Sequence, residues 1–206
     1  MDFVELIGLS AGLGFLAGIR LYATVLVVGL AIRFHWLTLA ADQEQWNILA
    51  HPAVLIIAGV AGVIELLADK IAWLDSVWDA FHTVIRPVGA VLLGAAAFAA
   101  VDPKLRVILI LLCGGMALAS HASKAATRIV ANHSPEPFSN MAISAGEDVL
   151  QGLGLWLVIQ HPLLMLAVVA VFLAAFLWLF RKIVRVVRRR LGWGAAQVTG
   201  AVAPLR

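Results

Sequence analysis

Charged residues are scarce in this 206-residue sequence: Asp, Glu, Lys and Arg make up only 13% of it, whereas 63% is hydrophobic. Soluble domains carry about 25% charged residues, so this composition excludes an ordinary soluble domain. A membrane-spanning helix needs roughly 20 mostly apolar residues, and the chain contains several such runs. The sequence therefore predicts an all-α fold, a polytopic transmembrane helical bundle, with no separate soluble domain.

Cysteine and catalytic motifs are also lacking. The one cysteine, Cys113, lies in an apolar run, which indicates neither disulfides nor Cys-based metal sites. The six histidines are scattered, and the chain has no HExxH, GxSxG, P-loop or Gly-rich dinucleotide sequence. An acidic rather than basic N-terminal sequence, MDFVELIGLSAGLGF, argues against a cleaved signal peptide. We therefore predict no catalytic residue, no cofactor and no nucleic-acid partner.

The apolar runs predict about six spans, with five as the alternative, at residues 4–34, 52–68, 87–101, 107–119, 141–159 and 163–180. Residues 1–180 would form a single transmembrane domain. Small residues at helical spacing in the first run predict close helix packing there: Ser10, Gly12, Gly14, Ala17 and Gly18. Six spans permit an internal duplication, but neither an inverted three-plus-three register nor a pairing of hairpins gives a consistent match.

Basic residues gather at the C-terminal end, in a predicted basic cytoplasmic tail at 181–206. Six of the fifteen Lys and Arg residues lie between Arg181 and Arg190. Their alternation with apolar residues predicts a helix on anionic lipids, and a plain cytoplasmic stop signal explains the pattern equally well. The positive-inside rule then places the chain in the cell inner (plasma) membrane with both termini cytoplasmic. A homo-oligomer is compatible with the sequence.

Charged side chains interrupt the apolar sequence in three segments: 65–86 (ELLADKIAWLDSVWDAFHTVIR), 121–128 (HASKAATR) and 144–151 (SAGEDVLQ). A charge at membrane depth is costly and normally survives only when it is paired or faces a water-filled interior. We therefore expect these segments to meet in one cluster. We expect only one of the neighbours Glu147 and Asp148 to face its centre. The predicted members are Arg20, Glu65, Asp69, Lys70, Arg86, His121, Lys124, Arg128, Glu147 and Asp148.

Several interpretations of the cluster remain open. With Asp75 and Asp79 included, six acids stand against five bases, as in a structural network whose charges satisfy one another. A buried network is weak evidence for stability, so a pathway for a small ion or solute is the leading hypothesis. In it, Glu147 or Glu65 would accept a proton or cation, and Lys124 and Arg128 would contact anions. A membrane scaffold without transport is the alternative.

A metal site is a less favoured interpretation. Asp75, Asp79 and His82 share one helical stripe, and their oxygen and nitrogen ligands could hold a divalent ion with help from Glu65 or Asp69. A metal-dependent enzyme acting on lipid headgroups would follow. The AspxxxAsp pair is part of the metal motif of membrane alcohol phosphotransferases, but the glycine and arginine elements that should precede it are missing. We therefore predict that the protein is not an enzyme.

Four segments together resemble bacterial and plant membrane proteins of the domain of unknown function 4126 family. They are AGIRLYATV, ELLADKIAWLDSVWDAFHTVIRPVGA, SHASKAATRIVANHSPEPFSN and AGEDV. The resemblance extends over nearly the whole chain up to about residue 160. It implies an integral membrane protein of several helices and carries over neither an activity nor catalytic residues. The basic tail is the part that we least expect other members to share.

Overall fold

A computed structural model describes residues 2–36, 46–132 and 137–190, and within these ranges the regular structure is helical throughout. This confirms the all-α prediction. The α-helices in the described part are α1 (Phe3–Ile19), α2 (Leu21–Arg33), α3 (Pro52–Ala68), α4 (Ala72–Ala97), α5 (Pro103–Asn132), α6 (Pro137–Gln160) and α7 (Pro162–Arg190).

Four of these helices contain a segment that is long and apolar enough to cross a bilayer: Trp73–Ala97, Pro103–Ile129, Met141–Gln160 and Pro162–Arg188. The apolar helices α1, α2 and α3 are shorter, with 17, 13 and 17 residues. The helices therefore support a polytopic membrane protein, whereas the predicted number of about six spans is not confirmed.

The predicted first span, residues 4–34, is divided at Arg20. This residue is extended, with φ −145° and ψ 91°, and it caps both α1 and α2. Its carbonyl accepts bonds from the backbone N–H and the hydroxyl of Thr24, so the interruption is satisfied locally. The apolar pattern gave no sign of this bend, because the sequence is apolar on both sides of Arg20.

The two helices on either side of Arg20 run in opposite directions. Along α1, Gly12 packs against Val158 and Leu16 packs against Gly154, so α1 is antiparallel to α6. Along α2, the order relative to α6 is reversed: Thr24 bonds Gln151 near the start of α2, and further along the chain Ala31 and Trp36 line a crevice with Trp156 and Gln160. The chain therefore makes a helical hairpin where the sequence predicted one span.

The predicted start of a span at Pro87 is wrong, because α4 continues through this residue. Proline lacks an N–H and so cannot bond the carbonyl four residues earlier, at Thr83. Membrane helices tolerate such a loss when neighbouring groups compensate for it. The helix thus carries the stripe from Asp75 to Arg86 on one continuous element.

Helix α1 occupies the centre of the bundle, and every residue from Gly8 to Ile19 is buried. A Cβ atom at Gly14 would overlap the carbonyl of Cys113, and one at Gly18 would overlap that of Ala117. The small residues of α1 therefore let the backbones of α1 and α5 approach closely, as the sequence predicted.

The surface of the described part has a polarity opposite to that of a soluble protein. Large apolar side chains cover the outside, with Ile57 and Leu111 each 67% exposed. The largest fully buried side chains, in contrast, are Arg20, Arg86 and Arg128. Such a surface suits lipid, and the internal charges must then find their partners within the protein.

Residues 170–190, the described part of a second compact unit, continue α7 as one helix. Phe172, Phe176 and Phe180 stack along it with ring centroids 5.9 and 6.4 Å apart. The Nζ of Lys182 lies 5.1 Å from the centre of the Trp178 ring. The predicted boundary at residue 180 does not coincide with a helix end. Residues 191–206 of the predicted tail lie outside the described residues.

Candidate functional site: two buried charged groups

The alternating directions of the helices bring the charged segments to one end of the bundle. Helices α1, α3 and α5 end there, and α2, α4 and α6 begin there. Ion pairs consequently join residues that are far apart in sequence, such as Arg20 and Asp148, which are 2.6 Å apart. The buried charged residues in the described part of the chain are Arg20, Glu65, Asp69, Asp75, Asp79, Arg86, Lys124 and Arg128.

The first set of ion pairs surrounds Asp69, at the end of α3. We call it the Asp69 group: Arg20, Asp69, Lys70, Asp75, Lys124, Arg128, Glu147 and Asp148. The Asp69 carboxylate is fully buried and lies 2.8 Å from Arg20, 3.3 Å from Lys124 and 3.6 Å from Arg128. One carboxylate therefore holds together cations from α5 and from the α1–α2 bend.

Both acids of the Glu147–Asp148 pair belong to this group. Glu147 accepts two bonds from Arg128, at 3.1 and 2.6 Å, and pairs with Lys124 at 3.4 Å. Asp148 pairs with Arg20 and, at 3.7 Å, with Lys70. Glu147, 12% exposed, lies towards the centre of the group, whereas Asp148, 39% exposed, lies at its edge, in line with the expectation that only one of them faces the centre. Neighbours about 100° apart on a helix can both be used when bases approach from two sides.

Electrostatics favour the ionised form of Asp69. Burial alone would raise the pKa of its carboxyl, but Lys124, Arg20 and Arg128 outweigh burial and hold that pKa below its ordinary value. Asp75 completes the group, 3.8 Å from Arg128. At the edge, Lys70 and Asp148 are 43% and 39% exposed. In the described ranges, the group contains four acids and four bases.

The second set of contacts surrounds Arg86, near the middle of α4. We call it the Arg86 group: Glu65, Asp79, Arg86 and His121. Arg86 Nη2 lies 2.8 Å from Glu65 Oε1, and Nη1 lies 3.1 Å from Asp79 Oδ1 and 2.6 Å from His121 Nδ1. All four residues are buried. Asp79, which the sequence placed in the metal stripe, is thus an ion-pair partner of Arg86.

The contacts of His121 determine its protonation. A guanidinium only donates hydrogen bonds, so His121 Nδ1 must accept the bond from Arg86 and carries no proton. The proton of the neutral ring is therefore on Nε2, which lies 3.2 Å from Thr83 Oγ1. That hydroxyl in turn donates to the carbonyl of Asp79. His121 is accordingly a neutral member of the Arg86 group.

The residues proposed for a metal site do not converge. Asp79 faces Arg86, and Asp75 faces Arg128. His82 uses both ring nitrogens elsewhere, on the Trp78 carbonyl at 2.8 Å and the Tyr22 hydroxyl at 3.2 Å. Among the residues that the structure describes, no three His, Cys, Asp or Glu side chains are arranged to hold a metal ion.

A crevice of about 230 Å³ between α4 and α5 reaches both groups. Its walls include Asp79 of the Arg86 group and Arg128 of the Asp69 group, together with the polar side chains of Ser76 and Thr83. The volume corresponds to several water molecules, at about 30 Å³ each. The crevice is partly open, and one charged residue of each group lies in its walls.

Sequence reasoning missed two contributors to the site. Tyr22 was not singled out, although its hydroxyl bonds His82, and Thr83 was not identified as the partner of His121. The Asp79–Arg86 pair had a signal, because the two residues are seven positions apart on one helical stripe. Tyr22 had none, since its partner lies on another helix.

Comparison with known proteins supports the resemblance seen in the sequence. A family model described as "Domain of unknown function (DUF4126)" matches residues 7–182. The matched range includes every residue of the Asp69 and Arg86 groups. No curated protein and no solved structure matches the chain.

Proposed function

Because this chain belongs to the DUF4126 family, whose description assigns no activity, we propose a function from its two charged groups. The protein moves a small ion through the intramembrane charged cluster, and the ion enters by the crevice between α4 and α5. The observation that carries this proposal is the position of Asp79 and Arg128 in the walls of that crevice.

The bend at Arg20 also favours a pathway. Non-helical backbone at membrane depth is tolerated where it is buried in protein or lines a cavity, and discontinuous helices form the ion and substrate sites of many transporters. Here the residue between the two helices, Arg20, is itself charged, and it pairs with Asp69 and Asp148. The break in the helix and the charged cluster therefore coincide.

In this proposal the protein lies in the cell inner membrane, with the basic segment 181–190 on the cytoplasmic side among anionic lipids. With the C-terminal segment in the cytoplasm, a cytoplasmic N-terminus requires an even number of membrane crossings. Because α1 and α2 are antiparallel, they do not form the single span that was predicted, and the number of crossings changes. The side of the membrane on which the N-terminus lies therefore needs an experiment. Cysteines introduced at residue 2 and tested with impermeant thiol reagents would measure it, because Cys113 is buried.

Flux in reconstituted liposomes tests the proposal. We expect wild-type protein to carry an ion, with H⁺, Na⁺, K⁺ and Cl⁻ as probes, and Asp79→Asn to lose most of that flux. Asp102→Asn is the matched control, because Asp102 is exposed at the opposite end of the bundle and only caps α5, which Asn can also do. Absence of flux for all four ions, in a wild-type protein with a normal melting transition, would overturn the proposal.

A second candidate is a scaffold whose ion pairs only fix the helices. The charge balance of the Asp69 group favours it, since a neutral, mutually bonded network has no need of a transported ion. If the protein is a scaffold, Glu147→Gln should lower the melting temperature, and neither the variant nor the wild type should carry an ion. A lipid-headgroup enzyme is not proposed, because the residues predicted to hold its metal, Asp75, Asp79 and His82, contact separate partners.

A further inference from the structure

The Arg86 group has a charge imbalance that the Asp69 group lacks. In the described part of the chain it contains two carboxylates, Glu65 and Asp79, one guanidinium and the neutral ring of His121. With both carboxylates ionised, the group would carry one net negative charge. Its acids are almost completely inaccessible, at 1% for Glu65 and 5% for Asp79. A buried charge without a partner is normally neutralised rather than tolerated.

Two carboxylate oxygens in this group lack a hydrogen-bond partner among the described residues, Oε2 of Glu65 and Oδ2 of Asp79. Each carboxylate uses its other oxygen to bind Arg86. The group therefore has spare acceptors but no spare base. This is the arrangement expected of a site that binds one monovalent cation, of which a proton is the smallest.

Neighbouring groups do not supply the missing positive charge. Lys124 on α5 interacts electrostatically with Glu65, His82 and His121, but it forms its ion pairs with Asp69 and Glu147. Tyr22 on α2 bonds His82 on α4, and that histidine donates its Nδ1 proton to the Trp78 carbonyl. Asp69, which follows α3, adds negative charge near Glu65.

We propose that the Arg86 group holds one exchangeable proton on Glu65 or Asp79, and that this proton is the ion moved by the protein. The second statement rests on the proposed function, whereas the first does not. A hydronium ion in the crevice transfers its proton to the Asp79 carboxylate: one O–H bond of hydronium breaks, one O–H bond forms on Asp79, and water is left. Release reverses the step and regenerates hydronium. Arg86 stays charged throughout, because guanidinium groups do not deprotonate in proteins. It holds the two carboxylates close to each other.

Infrared difference spectroscopy of the protein in lipid nanodiscs tests the bound proton. At neutral pH we expect the carbonyl stretch of one protonated carboxylic acid per chain, with the small shift in D₂O that identifies an exchangeable O–H. Glu65→Gln and Asp79→Asn should each abolish the band. The carboxylate that remains is then balanced by Arg86 and has no need of a proton.

Asp102→Asn is the control, because Asp102 is exposed at the opposite end of the bundle from both charged groups, and this variant should keep the band. Melting curves of all three variants show whether each is folded. A wild-type protein without the band would overturn the inference, as would a band that persists in both Arg86-group variants. If Na⁺ or K⁺ instead raises the melting temperature of the wild type but not of Glu65→Gln, the site binds a metal cation and the proton proposal is wrong.

The two proposals fail in different ways. If the wild type shows the infrared band but carries no protons in liposomes, the bound proton is supported and proton transport is rejected. If the wild type carries another ion but lacks the infrared band, ion transport is supported and the proton bound in the Arg86 group is rejected.

Discussion

The Asp69 group and the Arg86 group are adjacent and have buried centres, but they differ in how their charges are matched. Asp69 has three cations within 3.6 Å. Arg86, in contrast, is shared by two carboxylates and a neutral histidine. The Asp69 group has equal numbers of acids and bases. The Arg86 group has one charged base for its two acids.

We infer from this difference that the Asp69 group is structural, whereas the Arg86 group is the proposed site of the exchangeable proton. The bonds of the Asp69 group join the α1–α2 bend, the end of α3, α5 and α6, so its ions hold helices together. Burying ions is costly and offsets much of their attraction, but removing one partner leaves an uncompensated charge. The Arg86 group already has an excess acid before any substitution, and the side chain of Asp79 lines the crevice.

Loss of Asp69 should have the largest effect on stability. Asp69→Asn would deprive Arg20, Lys124 and Arg128 of a shared partner, and breaking a buried pair of this kind costs about 3–5 kcal/mol. We expect the melting temperature of the protein in detergent micelles to fall sharply, or the variant not to accumulate in membranes. Asp102→Asn, the same substitution at an exposed position, should leave it unchanged. A stable Asp69→Asn protein would show that the group does not hold the helices.

The stability that the protein loses in Asp69→Asn should depend on pH, in a direction that follows from the pKa of Asp69. Since the folded state holds the pKa of Asp69 below its ordinary value, ionised Asp69 stabilises the fold fully above about pH 4, the ordinary pKa of Asp. The contribution disappears as the pH falls through the lower pKa of the folded state. The difference in melting temperature between wild type and Asp69→Asn should therefore narrow in acid. A constant difference would contradict the assignment.

Neutralising one acid in each group compares the two directly. Glu147→Gln removes both charge-assisted bonds to Arg128 and leaves the Asp69 group with an excess base, so we expect a loss of about 2 kcal/mol. Glu65→Gln leaves the Arg86 group with one acid and one base, and its stability should change by less than about 1 kcal/mol. Unfolding of the two variants under identical conditions checks this. A larger loss for Glu65→Gln would reverse the roles of the groups.

Much of the architecture was predictable from composition, because apolar runs and a low charge content leave few alternatives to membrane helices. The bend at Arg20 and the continuity of α4 through Pro87 were not. Both depend on what surrounds the backbone: Thr24 and Gln151 bond the Arg20 carbonyl, and membrane helices continue through proline when packed. Local sequence gives the helix propensity of a segment, but not the tertiary contacts that override it.

Most members of the two groups were predictable for a related reason, since charges at membrane depth must be paired, but Asp75 and Asp79 were assigned to a metal stripe. The division of the members into two groups was not predictable. Helical periodicity correctly put Asp79 and Arg86 on one stripe, but the same stripe contains Asp75, which faces Arg128 instead. Which cation meets which acid depends on the relative positions of α3, α4 and α5, and a single sequence does not specify these.

The exposed edge of the Asp69 group should show the smallest effect. Lys70 is 43% exposed and lies 3.7 Å from Asp148, with a hydrogen bond to Ser144. Exposed ion pairs contribute about 0–1 kcal/mol and weaken in salt, so Lys70→Gln should change the free energy of unfolding by no more than about 1 kcal/mol. Lys124→Gln, the identical change at a buried position, should cost several times more because Asp69 and Glu147 both lose a partner. Equal effects in a titration with denaturant would mean that burial does not distinguish the centre of the group from its edge.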